Sequence, residues 1–79
     1  MKKVTIYSTA TCHFCNLAKD YFKKNNIEYT EYNVGTDPEK RKEMVDLTGQ
    51  LGVPVIRIDD EIVVGFSEGH IAQMLGIAA

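Results

Sequence analysis

Cys12 and Cys15 are the only cysteines of the 79-residue chain, and they stand in the stretch Thr11-Cys12-His13-Phe14-Cys15. Two thiols with two residues between them suit three kinds of chemistry. They can cycle as a redox couple, supply half of a metal site, or form a static disulfide. Cys12 falls where an alternating, β-rich run from Lys3 to Tyr7 gives way to a helical pattern. The unpaired N–H groups and partial positive charge of a helix N-terminus stabilise an anion. A thiolate is such an anion, and this placement lowers a cysteine pKa from about 8.5 to roughly 3.5–7.5. Cys15 lies one turn further in, on the same side and within disulfide reach, but less exposed. That asymmetry makes Cys12 the attacking thiol and Cys15 the resolving one.

The other two readings are weighed on ligand supply and compartment. A structural zinc site takes four ligands. The chain has two histidines, of which His13 lies inside the motif and His70 is more than fifty residues away. Cytosolic thiols are kept reduced, which argues against a permanent disulfide there. A Cys-x-x-Cys pair inside a strand–helix–strand pattern points to redox chemistry with moderate specificity.

Size and composition bound the partners. A chain of 79 residues is expected to form one domain, residues 1–79, with a compact core. Apolar residues make up 44%, ordinary for a globular protein. The net charge of −2 argues against nucleic acid as a partner. No apolar run approaches the ~20 residues of a membrane span. Met1-Lys2-Lys3 looks like the start of a signal peptide, but Ser8, Thr9 and Thr11 interrupt any apolar region after it. The expectation is a cytoplasmic protein with no membrane contact, acting as a monomer.

The elements that must position the cysteines read as follows. Residues 3–7 form a first strand. A helix runs from 13 to about 25, with Phe14, Ala18, Tyr21 and Phe22 at helical spacing, and Asn25-Asn26 ends it. Residues 27–34 read as a second strand whose alternation slips near Glu31. Asp37-Pro38-Glu39 starts a second helix that runs to about Thr48, with Gly49 past its end. A hairpin spans Val53 to Gly65, with Val55, Ile56 and Ile58 opposite Ile62, Val63 and Val64 and Asp59-Asp60 at the turn. Ser67 suits an N-cap before a last helix with Ile71, Met74 and Leu75 on its apolar stripe, and Gly76 stops it. The order β-α-β-α-β-β-α predicts an α/β fold. The first two strands are parallel through a right-handed crossover, in a four-stranded mixed sheet with three helices on its two faces.

Three segments together resemble glutaredoxins: Tyr7-Ser8 with Cys12-x-x-Cys15, then Thr48-Gly49-Gln50-Leu51-Gly52-Val53-Pro54, then Val64-Gly65-Phe66-Ser67-Glu68. The resemblance runs from the first strand to the last helix. It is strongest to small bacterial glutaredoxin-like proteins and shades into the glutaredoxin-like electron donors of ribonucleotide reductase. It implies a thioredoxin fold and a cis bond at Val53-Pro54, which proline permits. It implies that the backbone of Val53 pairs with substrate much like an added strand. It further implies that Phe14, Gln50, Val53, Pro54, Ser67 and Glu68 contact glutathione or substrate. Backbone N–H groups at Ser67 would take the γ-glutamyl carboxylate and Glu68 its ammonium. Plain capping by Ser67 and Glu68, and a solvated loop role for Gln50, compete with that assignment.

The departures from the family pattern bear on the reductant. Thr9 stands where many glutaredoxins carry Lys, His13 replaces Pro, Phe14 replaces Tyr, Phe66 replaces the second Gly of a Gly-Gly pair, and Gly69 stands where Asp is common. A helix N-terminus disfavours a cation, so His13 is expected to be mostly neutral near pH 7. Gly-Phe also occurs in the ribonucleotide reductase donors, which take electrons from thioredoxin reductase. The resemblance therefore implies a dithiol glutaredoxin without a tightly bound cofactor. Its partners would be glutathione as co-substrate and disulfide-containing or glutathionylated proteins. The alternatives are an electron donor served by thioredoxin reductase, and a metal or iron–sulfur module held by Cys12 and glutathione.

Overall fold

The computed structural model describes residues 3–76. The elements run β1 (Val4–Ser8), α1 (His13–Lys24), β2 (Thr30–Asn33), α2 (Pro38–Thr48), β3 (Val55–Ile58), β4 (Glu61–Val64) and α3 (Glu68–Leu75). The strands form one sheet in the order β2-β1-β3-β4. β1 pairs in parallel with β2, and β3 runs antiparallel to both β1 and β4. The expected element order and mixed sheet are thus both present.

The central strand β1 is buried along its whole length. Alternation divides its side chains between two cores. Val4 and Ile6 join Ile56 and Ile58 of β3, Ala18 and Phe22 of α1 and Ile71 of α3 on one face. Tyr7 joins Val55 of β3, Met44 of α2 and Val34 on the other. Helices therefore cover both faces, α1 and α3 on one side and α2 on the opposite side. No helix among the described residues is long and apolar enough to cross a membrane.

Three details differ from the sequence reading, and the slip near Glu31 is explained. The second strand is shorter than residues 27–34. Ile27 N–H still bonds the carbonyl of Phe22 at 2.8 Å, and Asn26 turns with φ of 56°, so ladder pairing begins at Thr30. The slip near Glu31 has a simple cause. Ile27 and Tyr29 pack on the α1–α3 core, whereas Tyr32 and Val34 pack on the α2 core. The chain alternates regularly while its apolar residues change face. In α1 the buried stripe is Cys15, Ala18 and Phe22, and Phe14 points outward with 59% of its surface exposed. In the hairpin, Val55 and Ile56 do pair with Val64 and Val63, but Ile58 pairs with Glu61 and Arg57 with Ile62. Asp59 takes φ of 51° in the turn, and its carboxylate accepts from Lys3 N–H at 2.8 Å.

The caps explain the helix bounds. Asp37 accepts N–H bonds from Glu39 and Lys40, each 3.1 Å, with Pro38 at the first position of α2. Gly49 ends α2 in the left-handed region at φ of 72°. Ser67 occupies the N-cap of α3 with an extended backbone, but its hydroxyl makes no capping bond. An Asp37→Ala variant leaves two N–H groups of α2 unpaired and is expected to lose about 1 kcal/mol of stability. Urea unfolding measures this, and an unchanged midpoint would contradict the capping role.

Candidate active site

Cys12 is itself the N-cap of α1. Its backbone is extended, and its sulfur accepts the N–H of Cys15 at 3.1 Å. The turn before it closes through Cys12 N–H to the carbonyl of Thr9, 3.3 Å, and the helix begins with Asn16 N–H to Cys12 carbonyl, 3.2 Å. The sulfur thus takes the place of the oxygen that an Asp or Ser would offer at such a cap. A negative sulfur accepts that bond more strongly than a neutral one. No acidic residue stands in the first turn of α1 to oppose a negative charge. Both features favour the thiolate once the pair is reduced.

The two cysteines differ in access. Cys12 is partly exposed, whereas Cys15 has no exposed surface because it lies on the inward stripe with Ala18 and Phe22. Their Cα atoms are 5.2 Å apart, within the range a disulfide spans, and the two sulfurs are joined as one. His13 and Phe14 fill the gap on the solvent side, with their rings edge to face at 5.5 Å.

The sheet brings the second segment to the same end. The register Tyr7 to Val55 sets the carboxyl end of β1 beside the start of β3. Val53-Pro54 is cis and Pro54 is buried. The carbonyl of Pro54 accepts Gly65 N–H at 2.8 Å, and Gly65 has φ of 88°, a conformation that favours glycine. That bond ties the proline loop to the segment leading into α3.

Of the expected contact residues, Val53 and Glu68 line two separate depressions, and Phe14, Gln50, Pro54 and Ser67 line neither of the two. One, of about 210 Å³, includes Thr9, Val34, Arg41, Met44, Leu51 and Val53 in its lining. The other, of about 280 Å³, lies between α1 and α3 and is lined by Leu17, Asp20, Tyr21, Lys24, Phe66 and Glu68. Phe66 fills space there, with its ring 5.8 Å from that of Tyr21. The Gln50 amide holds the backbone of Gly52 from both sides, accepting at 2.9 Å and donating at 3.2 Å. Ser67 and Gly69 are exposed at the start of α3. Arg41 is the residue that the sequence reading missed. It is exposed on α2, and only the approach of α2 to the Thr9 and Val53 loops sets it beside the cysteine segment.

Residues 4–63 match the family model for glutaredoxin. The chain belongs to the glutaredoxin family. A glutaredoxin-like 8.6 kDa protein encoded in a rubredoxin operon of Clostridium pasteurianum is 44% identical over 72 residues, covering 91% of this chain and 96% of that one. Among solved structures, a mutant of the thioredoxin-like protein BC3987 superposes with a TM-score of 0.90 at 32% identity, over 99% of this chain and 100% of the other. The glutaredoxin-like NrdH-redoxin of Escherichia coli superposes with a TM-score of 0.78 at 25% identity, over 90% and 92% of the two chains. The architecture of this glutaredoxin is the thioredoxin fold, and its cysteine pair places it with the thiol oxidoreductases of that family.

The burial asymmetry has a direct chemical consequence. In the reduced, folded glutaredoxin, iodoacetamide is expected to modify Cys12 first and to reach Cys15 only after denaturation. Peptide mapping that found both cysteines alkylated at similar rates would contradict the assignment.

Proposed function

We propose that this glutaredoxin is a cytoplasmic dithiol oxidoreductase that reduces protein disulfides and protein–glutathione mixed disulfides. Cys12 is its nucleophile and Cys15 its resolving thiol. The observation that carries the reading is the pairing of a partly exposed Cys12 sulfur on the N-terminus of α1 with a fully buried Cys15 one turn behind it. The Cys12 thiolate attacks one sulfur of the target disulfide, forming a mixed disulfide and expelling the other sulfur as a thiolate, which takes up a proton. Cys15, deprotonated, then attacks Cys12 Sγ. This forms the Cys12–Cys15 disulfide and releases the second target thiolate, so two electrons have passed to the target.

Regeneration needs a two-electron donor, and glutathione is the first choice. Two glutathione thiols return the pair to the dithiol and leave as oxidised glutathione. With a glutathionylated protein Cys12 can act alone. It takes the glutathione sulfur and frees the protein thiolate, and a second glutathione then regenerates Cys12. The chain holds no cofactor tightly in this cycle, and glutathione is a co-substrate. Phe14, Val53, Pro54, Ser67 and Glu68 are the contacts that family resemblance supports, with Gln50 shaping the loop through Gly52. Arg41 supplies a cation in the groove beside Val53, suited to a carboxylate. The Ser67 hydroxyl, free of capping duty, supports a ligand role at the start of α3.

A second reading has its own support. Thr9 brings no cation to the cysteine segment where many glutaredoxins carry Lys, and Phe66 occupies space against Tyr21. The NrdH-redoxin of Escherichia coli, to which the fold is similar, is described as having a thioredoxin-like activity profile. On this reading the reductant is thioredoxin reductase with NADPH, and the protein donates electrons to a dedicated reductase.

The deciding experiment compares the rate at which the oxidised protein is reduced by glutathione and by thioredoxin reductase plus NADPH. Faster reduction by glutathione supports the first reading, and faster reduction by the reductase replaces it with the second. Cys12→Ser is expected to abolish activity with every disulfide substrate. Cys15→Ser is expected to retain reduction of glutathionylated protein by glutathione. Equal loss in both variants would overturn the division of roles.

A further inference from the structure

Ser8, Glu31 and Lys19 come from three different elements and meet on a single oxygen. Glu31 Oε2 accepts from the Ser8 hydroxyl at 2.9 Å and from Lys19 Nζ at 2.8 Å. Ser8 is 1% exposed. A buried hydroxyl without a partner is costly, and Glu31 supplies that partner from the neighbouring strand. Ser8 is the last residue of β1 and Lys19 lies in the second turn of α1. The two bonds therefore bracket residues 9–18, the segment that carries both cysteines.

Helical spacing adds an electrostatic consequence. Cys15 and Lys19 stand four residues apart on α1 and so are neighbours on its surface, with Cys12 at the N-cap one turn before Cys15. The Cβ atoms of Cys15 and Lys19 are then about 6 Å apart. Lys23 follows one turn later, and Asp20 is turned toward the exposed cleft with Leu17 and Glu68. Lys19 is thus the first lysine or arginine after the redox pair along α1. The Lys19 hydrogen bond chiefly holds the Glu31 carboxyl below the usual carboxylate range. The Ser8 bond and the charge of Lys23 act in the same direction, against the opposing effect of burial. Glu31 is therefore ionised at neutral pH and offsets the Lys19 charge.

We propose that Glu31 is a positioning residue for the redox pair: it pins both ends of the cysteine segment and neutralises the cation that would otherwise stabilise the thiolate. This rests on reading Cys12–Cys15 as a redox couple, but not on which reductant or target serves it.

The test uses the full chain at low ionic strength, with the Cys12 pKa and the reduction potential measured for each variant. Glu31→Gln keeps an oxygen for the Ser8 hydroxyl but leaves Lys19 uncompensated. It is expected to lower the Cys12 pKa by about 0.5 unit and to make the disulfide more oxidising, because a stabilised thiolate favours the reduced form. Lys19→Met leaves the Glu31 charge uncompensated and is expected to raise the pKa by about as much and make the pair more reducing. The double variant is expected to return to within about 0.2 unit of the parent protein. A purely structural clamp would shift both single variants in one direction, and that result, or no shift in either, overturns the proposal. Shifts that persist undiminished near 1 M salt, where the screening length is about 3 Å, also overturn it. Lys19→Met leaves the core untouched, so it decides the matter by itself if Glu31→Gln does not fold. A parent protein whose Cys12 pKa sits at the ordinary thiol value would instead undermine the redox reading itself.

Discussion

The site depends on one constraint: β1 is fixed on both edges and both faces, so its carboxyl end cannot move. It pairs with β2 on one side and β3 on the other, and its side chains fill two separate cores. The parallel pairing with β2 requires a crossover, and α1 supplies it. The N-terminus of α1 must therefore open just beyond the end of β1, four residues after Ser8, at Cys12. The antiparallel pairing with β3 sets the Val53-Pro54 loop at that same end, and the parallel pairing sets Val34 there too. A groove shared by Thr9, Val34 and Val53 follows from strand direction alone.

The same packing gives the two sulfurs different exposure. Cys15 is sealed because it lies on the stripe that buries Ala18 and Phe22, so its protection comes with the core. Cys12 stands outside the first helical turn and takes over the work of a capping oxygen. One helix thus leaves one sulfur partly exposed and seals the other. The cost of turning that stripe inward is that Phe14 faces solvent beside His13.

Much of this is legible in residue order. The β-rich run before Cys12, the Asp37-Pro38 start of α2, its Gly49 stop and the Asp59-Asp60 turn are local signals with local physical causes, and each stands where the sequence puts it. The second strand is less legible, because its apolar residues serve different cores before and after Glu31. Periodicity reports that an apolar residue is buried but not on which face of the sheet. Phe14 misleads for a related reason: two neighbouring helical stripes both look apolar, and only the sheet chooses between them. Ser67 takes the N-cap position expected of it without using its hydroxyl, and Gln50 holds its own loop. A serine at a cap need not use its hydroxyl, and a glutamine in a loop finds backbone partners two residues away.

The sequence by itself determined the element order, the caps and the redox pair, because these rest on contacts between residues a few positions apart. It also carried the family resemblance, through the joint spacing of three short segments. The tertiary structure alone decided which residues far apart in the chain meet. Arg41 reaches the groove only because α2 packs on the Tyr7 face of the sheet, and Glu31 reaches Ser8 and Lys19 only because β2 pairs in register with β1. The physical reason is that a charge or a hydroxyl carries no periodic signature. Its partner is set by where the backbone places it, and that is fixed only once both cores are packed.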